Sequence, residues 1–132
     1  MVISFPRGSN GMLNLDTHIL IYALADSLKG EERELLGNSR WGISAIVIWE
    51  LTKLFQLGRI SLDPGNPRFR GVLSGIHIWP VTLDVCLAVY NLDIKSDPAD
   101  EIICATSINY DAPLVTRDRK LRKSKVVPLA PV

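Results

Sequence analysis

The sequence predicts an α/β fold, a mostly parallel sheet of four or five short strands with helices on both faces, stacked as three α/β/α layers. Three observations predict it. Short apolar runs alternate with longer stretches that carry apolar residues at helical spacing. Turn and cap residues stand at the junctions between them. The 132 residues are 47% hydrophobic and 22% charged, enough for a sizeable core without disulfides or structural zinc.

Each element has its local reason. Met12 to Leu15 is a short apolar strand that ends at Asp16. Thr17 can cap a helix running through Ile19, Leu20, Tyr22, Ala23 and Leu24. A more polar helix spans about Lys29 to Leu36 and stops near Gly37-Asn38. Trp41 to Ile43 reads as the second strand, and Ser44 caps an apolar helix from Ala45 to Leu57 with Gly58 past its end. Asp63-Pro64-Gly65-Asn66-Pro67 is turn chemistry, followed by a short helix around Phe69 to Leu73. Ile76 to Val81 is the third strand, and Thr82 caps the next helix, through Leu83, Cys86, Leu87, Val89 and Tyr90. Asp97 is placed as a cap and Pro98 as the first residue of a helix ending near Tyr110. Leu114 to Thr116 is the fourth strand, and Val126 to Leu129 a candidate fifth, where Pro128 fits only an edge.

Lys and Arg number 15 against 14 Asp and Glu, a formal charge of +1, which excludes a strongly basic nucleic-acid coat. Cys86 and Cys104 lie in apolar runs and read as buried, reduced thiols, which fits a cytoplasmic protein. No apolar run reaches the roughly 18 residues of a membrane span. Residues 1–11 read as a flexible leader rather than a signal peptide, with Met12 a second candidate start, and residues 12–132 as one domain.

Four carboxylates fit a structural role poorly when taken together. In an open parallel sheet, function gathers beyond the carboxyl ends of the strands. Asp16 closes the first strand, Asp118 follows the fourth, and Asp100 is in the first turn of the helix that feeds the fourth. Glu50 shares a helix face with Ile46 and Leu54, an apolar setting in which a carboxylate must be paired, protonated or metal-bound. Each has a plainer explanation alone. Glu50 could pair with Lys53, Asp16 could cap its helix, Asp100 suits a helix N-terminus, and Asp118 could pair with Arg117, Arg119 or Lys120. A hard cation such as Mg²⁺ or Mn²⁺ would explain all four at once, and it would serve phosphodiester hydrolysis.

The sequence resembles the PIN-domain ribonucleases, and among them the VapC-like toxins of type II toxin–antitoxin pairs. The segments that carry the likeness are Leu13-Asn14-Leu15-Asp16-Thr17-His18, Ile43-Ser44-Ala45 through Trp49-Glu50-Leu51, and Gly58-Arg59-Ile60. They continue with Asp97-Pro98-Ala99-Asp100, Ala105-Thr106 and Ala112-Pro113-Leu114-Val115-Thr116-Arg117-Asp118. The resemblance implies that Asp16, Glu50, Asp100 and Asp118 are catalytic and hold one or two Mg²⁺ or Mn²⁺ ions. It implies site support from Thr116, with Asp97 nearby. It also implies an RNA substrate, a cognate antitoxin that fills a groove by the first two helices, and a homodimer. Two positions depart from the family pattern: Glu101 stands where many relatives have Arg, and Lys95-Ser96 where many have His.

The basic run from Arg117 through Arg119 and Lys120 to Lys125 is a candidate phosphate contact beside the acids, with Arg59, Arg68 and Arg70 a weaker one. Trp41, Trp49, Trp79 and His77 read as core or half-core residues, and no Gly-rich phosphate loop is present. The expected activity is a metal-dependent endoribonuclease. The alternative is a PIN-like module that binds RNA or a partner with little catalysis.

Overall fold

The computed structural model describes residues 11–132, so the expected leader lies, apart from Gly11, outside the described residues. Among the described residues, four strands form one sheet in the order β3-β2-β1-β4: β1 (Met12–Leu15), β2 (Arg40–Ser44), β3 (His77–Trp79) and β4 (Leu114–Val115). Every pairing is parallel, with Asn14 opposite Gly42 on one side of β1 and Leu114 on the other. Among the described residues, six α-helices connect them: α1 (Thr17–Leu24), α2 (Gly30–Gly37), α3 (Ala45–Gln56), α4 (Pro67–Leu73), α5 (Leu83–Ala88) and α6 (Pro98–Tyr110). The chain leaves β1 toward β2 on one side and returns to β4 on the other. The carboxyl ends of β1 and β4 therefore flank a topological switch point, where such sheets open a crevice.

The cap residues do what their chemistry suggests. The Ser44 hydroxyl accepts from the Ile46 amide at 3.2 Å, the Asn66 side chain from Arg68 at 2.8 Å, and the Thr82 hydroxyl from Val85 at 3.2 Å. At the far end of α3, Gly58 takes φ +72°, which lets the Arg59 amide reach the Leu54 carbonyl at 2.9 Å and stops the helix. The core lies between sheet and helices, with Leu13, Leu15, Ile43, Val47, Leu51, Ile103 and Leu114 all buried. Gly42 is a necessary glycine. A Cβ there would stand 2.6 Å from the Trp79 ring, which crosses β2 to stack on Tyr110.

Several expectations need correction. The fifth strand reduces to one bridge, Leu129 beside Leu114, because among the described residues only two backbone bonds flank it, from the Leu114 amide to the Pro128 carbonyl and from the Ala130 amide to the Leu114 carbonyl. Asp16, not Thr17, is the cap of α1, because its side chain accepts from the Thr17 amide at 2.8 Å. Asp97 occupies the cap position of α6, but its side chain makes no cap hydrogen bond. Cys86 is exposed, since α5 turns that side to solvent, and only Cys104 is buried. His77 is exposed because β3 is an edge strand, and Trp49 is 53% exposed on the outer face of α3. Among the described residues, no helix is long and apolar enough to cross a membrane.

Candidate active site

Asp16, Glu50, Asp100 and Asp118 line one open cleft of about 400 Å³ at the switch point. Asp97 joins them, and His18, Tyr22 and Arg117 complete the polar wall. Asp16 is delivered by the end of β1, Glu50 by the second turn of α3, Asp100 by the first turn of α6, and Asp118 by the loop after β4.

Hydroxyl groups from neighbouring elements hold three of these carboxylates. Thr116 donates to Asp16 Oδ2 at 2.6 Å while accepting the Asp118 amide at 3.0 Å, so one side chain ties the ends of β1 and β4 together. The Thr17 hydroxyl donates to Glu50 Oε1 in a short hydrogen bond between α1 and α3. Ser96 donates to Asp100 Oδ2 at 2.8 Å, and the Ser96 amide donates to Glu101 Oε2 at 3.1 Å. The two departures from the family pattern, Ser96 and Glu101, thus meet in one small clasp. Asp118 Oδ1 accepts the Lys120 and Leu121 amides at 2.8 and 3.4 Å and starts a 3₁₀ turn, Leu121–Lys123.

The plainer explanation for Glu50 does not hold, since Lys53 turns away and donates to Gln56 at 3.1 Å. Burial pushes the carboxyls of Asp16, Glu50 and Asp100 above the usual carboxylate range. The hydroxyl bonds oppose that shift, and repulsion adds to it: Asp100 acts on Asp16 and Glu50, and Asp118 and Asp97 act on Asp100. The Cys104 thiol behind them is pushed up to about 12, first by burial and then by the same charges, so it is no nucleophile.

Arg117 is committed elsewhere. Its guanidinium makes a two-bond fork to the buried Glu32 carboxylate at 2.8 and 2.7 Å and lies 4.1 Å from the Tyr22 ring centre. Glu32 carries no functional signal in the sequence, because a Glu early in a polar helix signals only solvent. Thr17 and Ser96 show in sequence as a cap candidate and a departure from the family pattern, but not as partners of the acids, because those bonds depend on packing between elements. Arg119 and Lys120 are exposed beside Asp118, whereas Arg122 donates to the Val132 carbonyl at 2.7 Å.

The carboxylates ring the cleft rather than closing on a point. Among the described residues, no three His, Cys, Asp or Glu side chains are grouped tightly enough to enclose an ion alone. The donor set is all oxygen, oriented by hydroxyls and crowded with like charge, which fits a hard divalent cation. Mg²⁺ in particular keeps several waters and takes one or two carboxylates plus substrate phosphate.

Comparison with known proteins places the fold. Residues 14–126 match the family model of the PIN domain. Among solved structures, VapBC2 from Rickettsia felis, bound to a DNA fragment from its promoter, superposes with a TM-score of 0.68 at 22% identity, covering 89% of this chain and 96% of that one. A toxin–antitoxin complex from Klebsiella pneumoniae gives 0.63 at 25% identity, over 82% and 88%. FitAcB from Neisseria gonorrhoeae gives 0.54 at 22%, over 90% and 95%. The curated proteins contain no match. A parallel sheet in the order β3-β2-β1-β4, acids gathered at its switch point and a family match over residues 14–126 make this chain a member of the PIN-domain family.

Proposed function

We propose that the chain is a Mg²⁺- or Mn²⁺-dependent endoribonuclease and the toxin of a toxin–antitoxin pair. The observation that carries the reading is the meeting of Asp16, Glu50, Asp100 and Asp118 in one cleft, three of them held by hydroxyls from other elements. Asp16, Glu50, Asp100 and Asp118 would hold the ion, with Asp97 beside them in the same cleft. A bound divalent ion supplies a more acidic water and neutralises charge on the phosphate. The chain's own residues do the rest. Thr116, Thr17 and Ser96 orient the carboxylates and favour their ionised form against the effect of burial, because each donates a hydrogen bond to one of them. Arg119 and Lys120, exposed and next in sequence to Asp118, would hold RNA phosphates, while Arg117 lines the cleft from its place against Glu32.

The same reading implies protein partners. The toxin–antitoxin complex from Klebsiella pneumoniae and an apolar groove lined by Ile21, Leu24, Ile60 and Leu62, with Arg59 at its side, support an antitoxin segment docked beside α1. A homodimer has a candidate surface in the exposed Leu83, Leu87 and Tyr90 of α5 and the turn after it. The test of the activity is cleavage of a panel of tRNA, ribosomal fragments and single strands with Mg²⁺ or Mn²⁺. Cleavage should be lost with chelator and in Asp16→Asn and Asp100→Asn, and cleavage that survives both variants refutes the assignment.

A further inference from the structure

Asn14 is a polar residue in the middle of a core strand, and it is fully buried. Its Nδ2 donates twice to α6, to the Ile103 carbonyl at 3.0 Å and to Ser107 Oγ at 2.9 Å. Its Oδ1 is buried with no hydrogen-bond partner. An apolar side chain at this place would avoid that unpaired acceptor, so packing alone gives no reason for an amide here.

The register of the two elements gives one. Side chains two apart on a strand share a face, so Met12, Asn14 and Asp16 point the same way. On α6, Asp100, Ile103 and Ser107 lie along one stripe at helical spacing. The helix runs against the strand direction, because it carries the chain back to a parallel β4. Met12 shares a packed cluster with Tyr110 and Ala112, Asn14 bonds to Ile103 and Ser107, and Asp16 and Asp100 line the cleft. The lengths agree. From Asn14 to Asp16 the strand advances about 7 Å, and from the middle of the Ile103–Ser107 pair back to Asp100 the helix advances about 7.5 Å.

We infer that Asn14 is a positioning residue for the acid site: its forked amide locks the axial register of α6 on β1 and so sets the spacing of Asp16 and Asp100. The inference rests on the proposed metal-binding reading. A purely apolar β1–α6 contact lacks this directional constraint, and a slip of α6 by a fraction of a turn changes the gap between the two carboxylates without unfolding either element.

The test uses the full chain, with Asn14→Leu as the near-isosteric variant. Melting in EDTA reads the structural role, and Mn²⁺ affinity by titration calorimetry reads the positioning role. The expected result is a melting temperature in EDTA at or above that of the unsubstituted protein, with Mn²⁺ affinity lowered about tenfold or more, as for the loss of a group that orients a metal ligand. Wild-type Mn²⁺ affinity in Asn14→Leu overturns the inference and leaves the metal reading standing. Absence of Mn²⁺ binding to the unsubstituted protein overturns the metal reading and this inference with it. Should Asn14→Leu fail to fold, Ser107→Ala removes one of the two amide acceptors. A smaller loss of Mn²⁺ affinity in that variant supports the inference, and none overturns it.

Discussion

Removing Arg117 should destabilise this fold even though the residue sits at the rim of the cleft. Its guanidinium makes two hydrogen bonds, at 2.8 and 2.7 Å, to a Glu32 carboxylate that is only 6% exposed, while the Arg side chain itself is 30% exposed. Breaking a buried pair by deleting one partner costs about 3–5 kcal/mol, because the remaining charge is left without its partner. Two features set the value here. Glu32 keeps one bond, from the Lys29 amide at 2.8 Å, which softens the loss. The contact of Arg117 with Tyr22 goes as well, worth about 0.5–1 kcal/mol where partly exposed. Arg117→Ala should therefore cost about 3 kcal/mol, near the bottom of the range. Glu32→Gln retains an acceptor for one arm of the fork and should cost about 1–2 kcal/mol. The double variant should cost clearly less than the sum, since the second change removes a charge that the first has orphaned.

The assay is urea unfolding followed by tryptophan fluorescence, with a double-mutant cycle at pH 7. A pH arm sharpens it. The Arg117 hydrogen bonds hold the Glu32 carboxyl below the usual carboxylate range. A lowered folded-state value means that the stabilisation is complete above the ordinary Glu value and is lost as pH falls through the lowered one. The gap between the unsubstituted protein and Arg117→Ala should shrink in that acid window to the ~0.5–1 kcal/mol of the Tyr22 contact. Additive costs to within about 0.5 kcal/mol, or a gap undiminished well below the carboxylate range, would refute the pairing argument.

Other substitutions test other parts of the account. Gly42→Ala forces a methyl group to within 2.6 Å of the Trp79 ring and should cost about 1–3 kcal/mol, with a changed near-ultraviolet circular dichroism from the Trp79–Tyr110 stack. Asp97→Ala should cost less than the ~1 kcal/mol of an ordinary cap loss, because its side chain caps nothing, yet it should weaken Mn²⁺ binding measured by titration. Asp100→Asn should raise the melting temperature in EDTA. Burial and the charges of Asp118 and Asp97 hold the Asp100 carboxyl above its ordinary value, so its ionisation weakens the metal-free fold. The sign follows: the part of metal-free stability that depends on Asp100 falls as pH rises through the carboxylate range, so Asp100→Asn should gain on the unsubstituted protein over that range, and a relative loss would refute the crowding argument.

Much of this fold is legible locally. Ser44, Thr82 and the Asp97-Pro98 pair mark helix starts because capping is decided by a few adjacent atoms, and Gly58 marks the end of α3 for the same reason. The four acids are legible as a set because parallel topology sends strand ends and following helices to one side of the sheet. What periodicity cannot show is which side of an element meets another. His77 sits in an apolar run and still faces solvent, because β3 ends the sheet; Cys86 and Trp49 do so because α5 and α3 pack by their opposite faces. The partners of the acids are nonlocal. Thr17 meets Glu50 and Thr116 meets Asp16 only after β1, α3 and β4 have assembled. Glu32 hides best of all, since only the fold brings Arg117 to it from across the chain.

The acid cleft is proposed to cut RNA with a divalent ion. The most direct measurement is endonucleolytic cleavage of the RNA panel by purified protein with Mn²⁺, set beside Mn²⁺ titration of the same sample, for the unsubstituted protein and for Asp16→Asn. Cleavage and Mn²⁺ binding are expected in the first, and loss of cleavage with weakened binding in the second. Cleavage that is indifferent to chelator and to Asp16→Asn, or a protein that binds no Mn²⁺ at all, would contradict it.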